Sequence, residues 1–241
     1  MSNSSLEQLK IWAKENTVSL KIVFPDFDFD RIVAPNMSIS GAFFEDDPDH
    51  ENLAQASIRL DTFQKENRGA LLANGYLEQR AFYNTPAFER VRNGQTEFRN
   101  IHLGTDFWIP AGVPVHAPFD GEVVISHNNN YHKDYGPTLV LKHQLGMGPF
   151  FTLYGHLSVS SLALSPLNRR VGRGEKIGYI GKESENGHWV PHLHFQLITD
   201  LMGNTENFNG VAFASELDRW TQLCPDPNLI FEEHLPSAQM L

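Results

Sequence analysis

The stretch Pro191-His192-Leu193-His194-Phe195-Gln196-Leu197 decides the fold. It is a short apolar run carrying a His-x-His pair. In a strand successive side chains point to opposite faces, so His192 and His194 project to one side and Leu193 and Phe195 to the other. The apolar face can anchor a core, and the other face offers two imidazoles together, half of a metal site. A hydrogen-bonded core pair would read the same way, so the stretch needs a second motif beside it.

That motif is His102-Leu103-Gly104-Thr105-Asp106. His and Asp at this spacing share one face of an extended segment, and the glycine between them lets the strand lie close to a neighbour. One strand with His and Asp, and another with His, supply three N/O ligands and leave a fourth position for water. This is the open arrangement of a catalytic zinc site, whereas a structural site is closed by protein ligands. Tyr154-Gly155-His156-Leu157 adds a histidine after an apolar strand, so two histidines are left over to act on the water.

In this order and at this spacing, the HxxxD, YGHL and PHLHF motifs resemble the lysostaphin/LytM-type zinc metallopeptidases. The resemblance runs from about Arg99 to Thr199 and includes 111–115, 117–123 and 171–178, leading to Gly181. It implies the antiparallel β-barrel or sandwich of the duplicated hybrid motif. It also implies a zinc-dependent endopeptidase that cuts amide bonds in peptidoglycan cross-links or a related peptide with a water activated at the metal. By residue matching, His102, Asp106 and His194 bind Zn2+, and His156 and His192 form the catalytic pair. Gln196 departs from the family, which often has an acid there. Alternation puts it on the face of His192 and His194, where an amide changes the hydrogen bonding around a ligand. The second reading is a LytM-like binding or regulatory module, non-catalytic or cytoplasmic, with a non-wall substrate or partner. Retention of all five residues favours the enzyme.

Composition sets outer bounds. A chain of 241 residues with 41% hydrophobic content and 17 Phe can bury a large core, and its 18 Gly and 14 Pro suit a strand-rich fold with many turns. The single Cys224 excludes an internal disulfide and a cysteine-based zinc site. A net charge of −10 argues against nucleic acid as a partner and against strong attraction to anionic polymers. No apolar stretch approaches the roughly 20 residues that span a bilayer. Met1 to Gln8 shows no basic segment followed by a long apolar run. The chain as written therefore reads as cytoplasmic, or as periplasmic or extracellular if a leader has been removed.

The expected organisation is mainly β. Residues 1–95 form an α+β extension docked on the main domain, 96–200 the metallopeptidase domain, and 201–241 a tail with a short helix. Helices are expected over 6–13, over 51–67 with Asp49 as its cap, and over 213–223. Strands are expected at 21–24, 26–31, 102–108, 114–117, 121–127, 138–143, 150–156, 176–181 and 192–199. The acidic residues of 26–31 fit a solvated strand face better than a calcium loop, which would need Gly and Glu anchors. Residues 38–48, with Glu45-Asp46-Asp47, read as a loop. His127, His132 and His143 are expected near strand ends in contact with solvent, His188 at the surface, and His116 in the core or beside the site. Tyr154 and Trp189 are candidates for the groove wall. The extension is also a candidate inhibitory segment, with Asn36 or a nearby Asp as a further metal ligand.

Overall fold

The computed structural model describes residues 4–39, 41, 43, 53–146 and 148–236. Asp49 and the acidic run 45–47 lie outside the described residues. The architecture is mostly β and is built on one mixed, largely antiparallel eight-stranded sheet. Its order is β1 (Arg31–Val33), β2 (Ala70–Asn74), β5 (Thr105–Trp108), β12 (Leu193–Ile198), β9 (Gly148–Gly155), β8 (Gly136–Leu145), β7 (Gly121–Asn129) and β10 (Arg170–Val171). β1 pairs with β2 in parallel and the remaining neighbours are antiparallel. The sheet ends at β1 and β10, so it is open and does not close into a barrel. A second sheet sets β13 (Val211–Phe213) against β4 (Gln95–His102) and β3 (Glu89–Arg92), and β6 (Pro114–His116) pairs with β11 (Lys176–Tyr179).

Alternation along β12 divides the core as the sequence predicts. Leu193, Phe195 and Leu197 enter a large cluster with Phe107, Tyr154, Leu139 and Leu141. On the opposite face Ile198 joins Leu153, Val140, Ile125 and Leu103, and His194 and Gln196 share that side. Burying a Leu- or Phe-sized side chain contributes about 1.5–3 kcal/mol. The two clusters therefore fix which face of β12 holds the histidines, because a one-residue slip would exchange all of them.

Helix α1 (Ser5–Ala13) starts at Ser4, whose hydroxyl accepts from the Glu7 amide. It lays Trp12 against Phe119 and Phe150, with ring centroids 4.9 and 5.1 Å apart. Val18 bridges Phe231, joining the early chain to the end of the described residues. α3 (Leu53–Glu66) packs Ala56 and Leu60 with Leu72 and Trp108. The C-terminal helix α4 (Leu217–Leu223) follows a 3-10 turn, Ala214–Glu216.

Three local expectations are corrected. Residues 20–23 form a short helix, α2 (Leu20–Val23), because the Ser19 hydroxyl caps its first turn and Leu20 and Val23 find buried positions there. Residues 26–30 are turn and bend, and the strand starts only at Arg31. Residues 102–108 are two strands, since Leu103-Gly104 separates the end of β4 from the start of β5.

Candidate metal centre

His102 ends β4, Asp106 lies in β5 and His194 in β12. The β5–β12 register sets His194 directly opposite Asp106, and on its other side His194 faces Gly155 of β9. The break at Gly104 brings His102 back over this row. A Cβ at Gly104 would lie 2.6 Å from the Phe195 carbonyl and 2.7 Å from His194 Cε1, so only glycine lets the two segments approach this closely. One ligand atom from each of His102, Asp106 and His194 lies within 4.8 Å of the others, and all three residues are buried.

Hydrogen bonding assigns the tautomers. His102 Nδ1 lies 3.0 Å from the Gly75 carbonyl, which can only accept, so Nδ1 carries the proton and Nε2 is bare. Gln196 donates its amide to the Asn209 carbonyl at 3.1 Å and to Cys224 Sγ at 3.2 Å. Its oxygen therefore faces His194 Nε2 at 3.0 Å and accepts that N–H, leaving His194 Nδ1 bare. The two bare nitrogens are 2.9 Å apart, and Asp106 Oδ1 lies 3.1 Å from His194 Nδ1 and 3.4 Å from His102 Nε2. Three lone pairs converge with no proton between them, which repels unless a cation sits among them. Two imidazoles and a carboxylate suit zinc. Gln196 thus sets the tautomer of His194, the role that its place on the strand face foreshadows.

Burial, and then the Arg80 charge, holds the His102 imidazole down to about 4, so it stays neutral. Burial pushes the Asp106 carboxyl up, but the neighbouring imidazoles and Arg80 outweigh it and hold the group well below the usual carboxylate range.

His156 and His192 stand beside this row with ring centroids 4.2 Å apart. His156 directly follows β9 with φ +63°, a left-handed backbone uncommon outside glycine and concentrated at functional sites. Its Nδ1 donates to the Asn186 carbonyl at 2.8 Å, and His192 Nδ1 donates to the Val190 carbonyl at 2.6 Å. Each ring therefore has a bare Nε2, and that of His192 lies 3.8 Å from Asp106 Oδ1. Burial, joined for His156 by the adjacent imidazoles, lowers both from the usual histidine value. Trp108 lies against His192 at 4.5 Å.

His102, His156 and His194 face a cavity of about 280 Å³ whose walls include Tyr83, Phe88, Arg99, Tyr135, Trp189 and Phe208. Trp189 lines it as anticipated, whereas Tyr154 is fully buried in the core. Tyr83 and Phe88, from before residue 95, were not foreseen as wall residues, nor was Arg80, which bonds Asp106. The side-chain oxygen of Asn36 accepts from the Ser38 amide at 3.1 Å and from its hydroxyl at 2.7 Å. His143 is 2% exposed and bonded to Thr152 and the Asp120 carbonyl, so the expectation of solvent contact fails. His127 is half-buried. His132 and His188 are exposed beside each other, and His116 is partly buried with its Nδ1 unbonded among the described residues.

Residues 100–209 match the model of peptidase family M23. The peptidoglycan DD-endopeptidase ShyA of Vibrio cholerae serotype O1 is 33% identical over 135 residues, covering 52% of this chain and 29% of that protein. The DD-carboxypeptidase/endopeptidase Mpg of Neisseria meningitidis serogroup B is 33% identical over 122 residues, covering 51% of this chain and 25% of its own length. A solved zinc-containing peptidase from Vibrio cholerae superposes with a TM-score of 0.34 at 31% identity, over 47% of this chain and 31% of that one. The chain thus spans less than a third of the length of these relatives. The ordered HxxxD, YGHL and PHLHF motifs all fall inside the matched segment, and the chain carries a peptidase family M23 domain, of the lysostaphin/LytM type, over residues 100–209.

Proposed function

We propose that this protein is a zinc metallo-endopeptidase that hydrolyses amide bonds in the peptide part of peptidoglycan. The observation that carries the reading is the convergence of three unprotonated ligand atoms next to two further neutral histidines, with His102, His194 and His156 facing one cavity. His102 through Nε2, Asp106 through Oδ1 and His194 through Nδ1 would hold the ion. The ion, when bound, supplies a Lewis acid that polarises an amide carbonyl and brings the pKa of water to about 7.

His156 and His192 handle the protons. Each is fixed through Nδ1 to a backbone carbonyl and enters the reaction neutral, so either Nε2 can take the proton of the attacking water. Two imidazolium rings 4.2 Å apart would repel, so the pair takes one proton at a time. The protonated ring then has an N–H to offer the oxyanion, and it passes the proton to the departing amine nitrogen as the C–N bond breaks. Trp189, Tyr83 and Phe88 supply apolar walls against which a peptide can lie.

Peptidoglycan is the substrate for which the relative ShyA is named. On this reading the protein works outside the cytoplasm. No helix among the described residues is long and apolar enough to cross a membrane. The test is mass-spectrometric analysis of purified peptidoglycan after incubation with the zinc-loaded chain and with its His156→Ala variant. New peptide fragments made only by the unaltered chain support the reading and identify the bond. An undigested polymer with zinc bound to the protein removes this substrate.

A further inference from the structure

Arg80 is 2% exposed, and the proton chemistry described above does not use it. Its guanidinium spans two carboxylates. Nε donates to Glu78 Oε2 at 2.7 Å, and Nη1 donates to Asp106 Oδ2 at 2.5 Å. Glu78 is itself fixed, because Oε1 accepts from the Met37 amide at 2.8 Å and Oε2 from Asn74 Nδ2 at 3.2 Å. Asn74 is held in turn by the Trp108 indole N–H at 2.8 Å and lies opposite Asp106 across the β2–β5 pair. Gly75, at φ +118°, leaves room for the fork. A Cβ there would lie 2.3 Å from Arg80 Nη2 and 2.7 Å from His102 Nδ1.

We propose that Arg80 is a positioning residue for the metal-binding carboxylate. It holds Asp106 Oδ2 so that Oδ1 alone is presented to the ion. The inference rests on the reading of His102, Asp106 and His194 as zinc ligands. A carboxylate can bind a cation through one oxygen or both. Here the two oxygens have separate tasks: Oδ1 faces the imidazole nitrogens, and Oδ2 is taken up by the guanidinium.

Burying three charged groups costs more than an apolar cluster of equal volume, so stability alone is a poor reason for the arrangement. A planar fork also fixes direction in a way that a lysine point charge does not. Because Arg80, Glu78 and Asn74 all precede β4, this positioning is supplied by the N-terminal extension.

The test uses the full chain, titrated with zinc against a chromophoric chelator and, separately, loaded with Co2+ as a spectroscopic substitute. In Glu78→Gln/Arg80→Met both charges leave together, so no lone carboxylate remains at position 78. Groups that orient metal ligands typically account for about 10–100-fold in affinity, and the zinc dissociation constant is expected to rise by that factor in the double variant. The Co2+ visible bands should also lose intensity as Asp106 gains freedom to bind through both oxygens. If the double variant does not fold, Arg80→Lys keeps the charge without the fork, and its affinity should fall about tenfold. A folded variant with unchanged zinc affinity and an unchanged Co2+ spectrum would overturn the proposal and leave the peptidase reading intact. Absence of zinc binding by the unaltered chain would overturn both.

Discussion

His143 carries a worked prediction away from the metal centre. It lies in β8, 2% exposed, with Nδ1 bonded to the Asp120 carbonyl at 2.9 Å and Nε2 to Thr152 at 2.7 Å. Burial lowers its pKa in the folded protein to about 4, against roughly 6.5 for an exposed histidine. The folded value is the lower one, so between these limits the unfolded chain binds more protons. Stability is therefore fully present above about pH 6.5 and is lost as the pH falls toward 4. At about 1.4 kcal/mol per unit, the loss attributable to this residue is about 3 kcal/mol. For a chain of this length that corresponds to a fall of roughly 6–12 °C in melting temperature. The assay is thermal unfolding from pH 7.5 to 4 of the unaltered protein and of His143→Gln. The metal-site histidines are common to both, so the difference between the two curves isolates position 143. The unaltered protein should lose that increment of stability and the variant should not. Parallel pH profiles would refute the assignment.

Further outcomes follow from the site. Gly104→Ala places a methyl against the His194 ring and the Phe195 carbonyl, so zinc affinity measured by chelator competition should fall with little change in far-UV circular dichroism. Phe195→Ala empties the space between Tyr154 and Phe231 behind the ligand strand and should cost about 3–5 kcal/mol in denaturant unfolding. Gln196→Glu replaces an N–H donor with an acceptor facing the Asn209 carbonyl and should cost roughly 1–3 kcal/mol in the same assay. Zinc at a thousand times its dissociation constant should stabilise the protein by about 4 kcal/mol over the chelator-treated form, read as a shift in melting temperature.

Most strands of the sheet and the convergence of His102, Asp106 and His194 were legible because period-two alternation and the order of short motifs are local signals. Leu193 and Phe195 pack into one cluster while His194 turns to the opposite face. The partners of those three residues were not legible. Arg80 meets Asp106 from 26 positions away, and nothing in Glu78-Gln79-Arg80 announces burial. Residues 20–24 show the opposite failure. Ile22, Val23 and Phe24 favour a strand, and one capping hydroxyl together with buried positions for Leu20 and Val23 turned the segment helical. The burial of His143 was not legible because its environment is built across strands, by Gly121 of β7 and Thr152 of β9.

The most direct measurement is the zinc content per chain, by elemental mass spectrometry after dialysis, for the unaltered protein and for His194→Ala and His156→Ala. The expected result is about one equivalent in the unaltered protein and in His156→Ala, and almost none in His194→Ala, since His194 offers a bare nitrogen to the cluster and His156 lies outside it. Zinc retained by His194→Ala, or absent from the unaltered protein, would contradict the division of the five residues into ligands and proton carriers.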